Sequence, residues 1–401
     1  MIEDQLIYSG PRDRLARGRL HKVMVTLNAP VRWPAWQILL LALLLGLLAG
    51  LFWYFPQGDS ETAVGIAVLL GLFFLGDIVI LSFLPPRRIS FGSWKAQFFP
   101  LALPRTLAAV GIGILSFWLP QTWAFGMFLA VQLLASVLLI WGAHVEPASL
   151  NLTHLNVTSV KIPPDWKPMR ILHISDLHIE RFSLREEMIL DYMDEQQPDI
   201  ILITGDYLNL SFNLDPEAYF QAQQFLSLLS APQGVYAVLG TPTVDLWELI
   251  EPLFEELPIT LLRDQRFEVQ WPDSRRLTLL GLDCTHNIEQ DAQRLAELAA
   301  GAPQSVPEVL LYHSPELMPQ AVELGIDLYL CGHTHGGQVR VPVIGPLLTS
   351  SDLGRDYVMG HYQAGQTDLY VSAGVGLEGL SAPRVRLLAP PEITLLTLRP
   401  Q

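Results

Sequence analysis

The sequence predicts two structural classes in one chain, an α-helical transmembrane bundle followed by an α/β domain. Three observations carry that expectation. Four apolar runs of about 20 residues precede residue 145, the length needed to cross a bilayer core as helix. From about Lys167 the pattern changes to short apolar strands alternating with helical stretches, as in an α/β domain. Aspartates and histidines then gather just past several strand ends, where such folds place functional residues.

The runs are 36–55, 62–84, 98–119 and 122–143, giving a transmembrane domain over 36–145 behind a basic N-terminal segment over 1–35. A segment of that length ahead of the first run argues against a cleavable signal peptide. Arg12, Arg14, Arg17, Arg19, Lys22 and Arg32 precede the first run, and Arg87, Arg88 and Lys95 lie between the second and third. The other two connections, around 57–61 and 120–121, carry no Lys or Arg. The positive-inside rule therefore places the N-terminus, and after four crossings the C-terminal domain, in the cytoplasm.

Asp77 and Arg105 interrupt the second and third runs, each roughly 10 Å from the cytoplasmic end of its helix. Equal depth on consecutive antiparallel helices predicts a buried ion pair, since either charge alone is costly in lipid. The alternative has Arg105 snorkelling to the interface and Asp77 protonated.

Half of the residues are hydrophobic and 16% are charged, which fits a membrane component. The net charge of −15 argues against nucleic acid as a partner, because phosphate contacts need basic surface. It does not argue against small phosphorylated substrates, since bound cations can supply the local positive charge. Cys284 and Cys331 form no Cys-x-x-Cys pattern, and both are expected as buried, reduced thiols.

In the second half, 169–174, 200–204, 234–239, 277–282, 309–312 and 326–330 read as strands, and 186–196, 216–230 and 290–300 as helices. Residues 146–167, with Pro163 and Pro164, read as a linker or in part as an added edge strand ahead of a domain over 168–401. The first strand runs into Ser175-Asp176-Leu177-His178, whose acidic and imidazole side chains share one side. The second ends in Gly205-Asp206, the fifth in His313, and the sixth in Gly332-His333-Thr334-His335-Gly336-Gly337-Gln338. Such mixed carboxylate and imidazole donors suit two divalent transition metals better than calcium or a structural zinc. Two ions about 3.5–4 Å apart, bridged by a carboxylate, activate water and clamp a phosphoryl group for in-line attack. No motif for a side-chain nucleophile is present.

These spaced motifs resemble the calcineurin-like metallophosphoesterases, in particular a membrane-associated branch whose last motif reads Gly-His-Thr-His-Gly-Gly-Gln. The resemblance extends over about 169–398, including 369–376 and Pro391-Glu392-Ile393. It implies a two-sheet sandwich of mixed sheets flanked by helices. It also implies one divalent ion on Asp176, His178 and His335, a bridging Asp206, and a second ion on His313 and His333. Manganese or an iron–zinc combination would be the metals, and Asp206 and His333 would act catalytically through them.

One motif departs from the family. Where the family has Gly-Asn-His followed by an acidic residue, this chain reads Gly240-Thr241-Pro242-Thr243-Val244-Asp245. The family's Asn donates an amide oxygen to the second metal, and its His contacts the phosphate or protonates the leaving group. Thr241 offers a shorter neutral oxygen and Pro242 no proton, so the second site should be weakened. Three readings follow: a hydrolase for good leaving groups, or one recruiting Asp245, His361 or water as acid; a catalytically impaired module that binds metal or a phospholigand; or an inactive copy of an active parent.

Around the motifs, Gly336, Gly337 and Gln338 would let the backbone approach a phosphate oxygen. His173 reads as a buried structural histidine, while His286 and His361 lie in loop-like segments. The apolar loop stretches 343–348 and 377–380 would either pack on the domain or meet lipid. The expected partners are the lipid bilayer and a phosphorylated small-molecule or lipid substrate.

Overall fold

The computed structural model describes residues 19–56, 58–303 and 305–401, so Arg12, Arg14 and Arg17 of the basic segment lie outside the described residues. The described chain forms two compact units, one from Glu146–Gly379 and Arg386–Gln401, the other from Arg19–Val145 and Leu380–Val385.

In the α/β unit the strands, in chain order, are β1 Asn151–Ser159, β2 Met169–Ile174, β3 Ile200–Thr204, β4 Val235–Val238, β5 Ile259–Leu261, β6 Gln265–Gln270 and β7 Arg276–Gly281. They continue as β8 Glu308–Leu311, β9 Leu328–Cys331, β10 Arg340–Val341, β11 Gly345–Pro346, β12 Gly360–Ala364, β13 Thr367–Val371 and β14 Glu392–Pro400. Two six-stranded sheets result, ordered β1-β14-β2-β3-β4-β5 and β12-β13-β9-β8-β7-β6, with β10-β11 as a separate hairpin. Both sheets are mixed. β2 to β5 run parallel and β14 antiparallel to β2, while β7, β8, β9 and β13 run parallel between antiparallel edges.

The central strands read as unbroken apolar runs because both faces of each sheet are covered. Ile171, Leu202, Leu279, Leu311 and Leu330 turn into the layer between the sheets. Their neighbours Leu172 and Ile203 face outward toward Phe225 and Leu253, and Leu310 and Tyr329 face Leu295 and Met318. Those outer layers are supplied by the helices Leu184–Gln196, Pro216–Ser227 and Trp247–Glu255 on one side and Ile288–Ala299 and Met318–Leu324 on the other. The stretch 146–167 is therefore not a plain linker: β1 lies in register against β14 as the edge of the first sheet.

In the other unit, helices Ala35–Tyr54, Ser60–Ser82, Phe98–Leu115 and Gln121–Ile140 are long and apolar enough to cross a membrane. The first two pack closely because Gly46 and Gly50 face the backbone of Ala67 and Ala63, a small-residue seam of the kind that lets membrane helices approach. The third stays helical through Pro104. Asp77 and Arg105 form the expected buried pair, with Arg105 Nε 2.7 Å from Asp77 Oδ2 and Nη2 2.7 Å from Oδ1. Both residues are 4% exposed. The remaining guanidinium donors reach Gln132 O at 2.8 Å, Gln132 Oε1 at 3.1 Å and Ser136 Oγ at 2.9 Å. Snorkelling is thereby excluded, since the charge is satisfied where it lies.

Candidate metal centre

The carboxyl ends of β2, β3, β4, β8 and β9 bring the motifs together. Five of the six histidine and aspartate candidates have left-handed backbone: Asp176 (φ 51°), His178 (φ 43°), Asp206 (φ 58°), His333 (φ 69°) and His335 (φ 50°). That region is costly for side chains larger than glycine, and clustered outliers of this kind mark functional sites. Cross-loop hydrogen bonds hold the conformation: Asp176 N donates to Gly205 O at 3.0 Å, His178 N to Asp206 O at 2.9 Å, and His333 N to Asp176 Oδ1 at 2.9 Å. Glycine is required at Gly240 and Gly332, where a Cβ would overlap the carboxylates of Asp206 and Asp176 respectively.

Two overlapping groups of buried donors could each hold a metal ion. Asp176, His178 and His335 make one, and Asp176, Asp206 and His313 the other, with all donor atoms in each within 4.8 Å. Asp206 Oδ2 lies 3.5 Å from His178 Nε2 and 3.3 Å from His313 Nε2. Asp176, common to both groups, has Oδ1 3.5 Å from His335 Nε2 and 4.0 Å from His313 Nε2, so both carboxylates lie between the two sets of rings. His313 Nδ1 donates to Thr204 O at 2.6 Å, leaving Nε2 turned inward, the backbone anchor that orients a ligating imidazole. His333 joins through Thr241, whose Oγ1 is 3.3 Å from Asp206 Oδ2, 3.2 Å from His313 Nε2 and 3.4 Å from His333 Nδ1. The threonine that replaces the family's asparagine thus sits among the second set of candidates.

Burial, then the like charges of His286 and His313, pushes His333 down to about 3. Burial, then His178 and Arg386, takes His335 well below its ordinary value. Both rings are therefore neutral, the form that ligates. Burial opposes the charge on Asp206, yet His313 and His178 beside it hold its carboxyl below the usual range. His333 Nε2 and His178 Nδ1 are buried without a hydrogen-bond partner. Burial opposes the charge on His313, yet Asp206 and Asp176 raise its pKa well above the ordinary value, so an ion on its Nε2 would displace a proton. With the inward carboxylates and the two neutral rings it completes a donor set that fits divalent metal ions.

Several other expected residues lie differently. Asp245 is fully buried, and its carboxylate accepts from Asp206 N at 2.8 Å, Tyr207 N at 2.9 Å and Gly240 N at 2.7 Å. Burial and the charge of Asp206 push it up to about 7 against these amide donors. This geometry corrects the expectation of a substitute acid: both oxygens brace the Asp206 loop. Asp245→Asn, which turns an NH2 toward those amides, is expected to cost about 1–3 kcal/mol and lower the thermal midpoint. An unchanged midpoint would show that the amides find other acceptors.

His361 is likewise no site acid, being on edge strand β12 with its Nε2 2.5 Å from Asp368 Oδ1. His173 is buried against Thr204 Oγ1 at 2.8 Å, as expected of a structural histidine. Gly336 and Gly337 have positive φ, but their missing side chains make room for Met359 and Pro346 respectively. Gln338 Oε1 accepts from Glu378 N at 3.1 Å.

Two neighbours lie outside the expected site set, Arg386 and the loop histidine His286. Arg386 is fully buried, with Nη2 3.2 Å from His335 Nδ1 and further bonds to the carbonyls of Ala373, Gly374, Gly376 and Ala389. His286 is also buried, its ring centroid 4.9 Å from that of His333. It follows β7, so the strand-end rule applied to 277–282 would have brought it into that set. Nothing local marks Arg386.

Two mixed sheets with paired acidic and imidazole clusters at their strand ends make a metallophosphoesterase-like domain. The calcineurin-like phosphoesterase family profile matches residues 169–337. Phosphodiesterase YaeI of Escherichia coli is 32% identical over 240 residues, covering 58% of this chain and 82% of YaeI. Uncharacterized metallophosphoesterase YkuE of Bacillus subtilis is 28% identical over 270 residues, covering 65% of this chain and 89% of YkuE. A bovine transmembrane protein with metallophosphoesterase domain is 27% identical, covering 67% of this chain and 61% of that protein. The chain belongs to the calcineurin-like metallophosphoesterase family.

Proposed function

We propose that this protein is a membrane-tethered phosphoesterase that hydrolyses a phosphoester or pyrophosphate bond with two divalent ions. The observation that carries the reading is the shared carboxylate of Asp206 between His178 and His313. Asp176, His178 and His335 would hold one ion and His313, His333 and Thr241 the other, with Asp206 common to both. Ions bound there would supply a water of lowered pKa and neutralise phosphoryl charge. Manganese or an iron–zinc pair suits these donors.

The chain's own residues set the rest of the mechanism. Asp245 holds the Asp206 loop, and the Thr204 carbonyl and Arg386 orient His313 and His335. Pro242 offers the leaving group no proton, so esters of acidic alcohols or phosphates are the substrates best served. The name of the phosphodiesterase relative supports a diester substrate, and four membrane-length helices support a lipid-linked one. Loop charges favour a cytoplasmic domain, a sidedness that protease access in oriented vesicles would test.

Hydrolysis of bis-nitrophenyl phosphate by the full chain with manganese tests the reading. Turnover in the wild type and its loss in Asp206→Ala is the expected result. The Thr241-Pro242 sequence favours one second reading, a binding module without turnover. A silent wild type that still binds manganese would support that module, and a protein that binds no manganese would overturn both.

A further inference from the structure

Exposed large apolar side chains in the α/β unit are mostly scattered, at Val160, Leu184, Phe220, Leu228 and Leu388, but one hairpin concentrates them. In β10-β11 and the residues just after it, Val343 is fully exposed and Ile344, Leu347 and Leu348 are 58%, 53% and 64% exposed. Exposed apolar side chains so close in sequence are the mark of an interaction site. Val343 at the tip has φ 71°, an outlier for a β-branched residue where glycine or asparagine is the ordinary choice. The tip is nevertheless braced, for Arg355 Nη1 donates to Ile344 O at 3.1 Å and Arg340 Nη1 to Gly336 O at 2.9 Å.

Two connections give the patch its context. Toward the site, Pro346 fills the space left by the missing side chain of Gly337, and Ser350 Oγ donates to His333 O at 2.9 Å. Along the chain, Leu380–Val385 groups with the apolar helices, where Gln97 Nε2 donates to Ala382 O at 2.9 Å and Gln97 Oε1 accepts from Arg384 N at 2.9 Å. Two residues after that segment, Leu387 pairs with the hairpin base, accepting from Arg340 N at 2.9 Å and donating to Gln338 O at 3.0 Å. By connectivity alone, the base of the hairpin is tied to a segment of the membrane-length unit.

We propose that residues 342–348 dip into the headgroup–acyl boundary of the bilayer and present phospholipid-linked phosphoesters to the metal centre. A bilayer is the occupant because the chain itself carries four membrane-length helices. Short apolar elements held beside a membrane bury their side chains in that boundary. The substrate half of the proposal rests on the phosphoesterase reading above; the lipid contact does not.

The test uses the full chain with Ile344→Cys or Leu348→Cys carrying an environment-sensitive fluorophore, since Cys284 and Cys331 are buried. Reconstituted in phosphatidylcholine vesicles, both labels should be quenched by shallow spin-labelled lipid and shielded from iodide, while a label at Glu297→Cys on the exposed helix face shows the reverse. Iodide quenching at 344 and 348 equal to that at 297 would overturn the proposal. Shielding from both quenchers, as a second copy of the chain would produce, would overturn it too. In Ile344→Ser with Leu348→Ser, the ratio of turnover on a phospholipid nitrophenyl ester to that on bis-nitrophenyl phosphate should fall about tenfold. An unchanged ratio would remove the substrate half. A wild type inactive on both esters would sink the phosphoesterase reading, and the fluorescence would still decide the lipid contact.

Discussion

Thr241→Asn combined with Pro242→His is expected to raise turnover of esters with poor leaving groups by roughly 10²–10⁴-fold. Thr241 Oγ1 already lies 3.2–3.4 Å from His313, Asp206 and His333, so a longer amide oxygen starts from the right place. The imidazole from Pro242→His would add the proton donor this loop lacks. Esters of nitrophenol, whose oxygen leaves without protonation, should gain much less. The measurement compares kcat on an alkyl and a nitrophenyl phosphodiester in the double variant and in each single change. Equal gains on both esters would mean that the effect is repaired metal binding and not leaving-group protonation. No gain on either would show that the loop departs from the family in more than two side chains.

Arg105→Ala should destabilise the helical unit by about 3–5 kcal/mol, because it leaves Asp77 buried without its bidentate partner. Asp77→Ala should cost less, since Gln132 and Ser136 still accept from the guanidinium. The reciprocal exchange, Asp77→Arg with Arg105→Asp, should recover only part of the loss. The acceptors on the fourth helix are placed for a donor at position 105 and would face a carboxylate instead. Thermal unfolding in nanodiscs measures all three. Additive losses in the exchange variant would mean that the two charges do not support one another.

Six interior strands of this fold were legible, whereas β13 and β14, also interior, were not read as strands. Thr367 and Asp368 open the one, and Glu392, Thr394 and Thr397 interrupt the other. β2 and β3 begin and end where their apolar runs do, and the other strands read from the sequence lie within two residues. Edge strands were not legible in the same way. β6 carries Gln265, Arg266, Glu268 and Gln270, and β12 alternates half-buried and exposed residues, so neither shows an apolar run. β1 was readable only as linker or edge strand, and its register against β14 settles the matter.

For the metal centre, the residue types and their strand-end positions were determined by sequence alone, as was the broken Gly240-Thr241-Pro242 motif. A strand end and a glycine turn are local features, and local spacing encodes them. Direction and partnership were decided by the tertiary structure. Left-handed backbone at Asp176, His178, Asp206, His333 and His335 is affordable only because loops from both sheets exchange hydrogen bonds. The same long-range packing turned Asp245 from a candidate acid into an acceptor for three backbone amides. It also brought Arg386 to His335 and His286 to His333, pairs separated by about fifty residues, a distance over which no periodicity carries information.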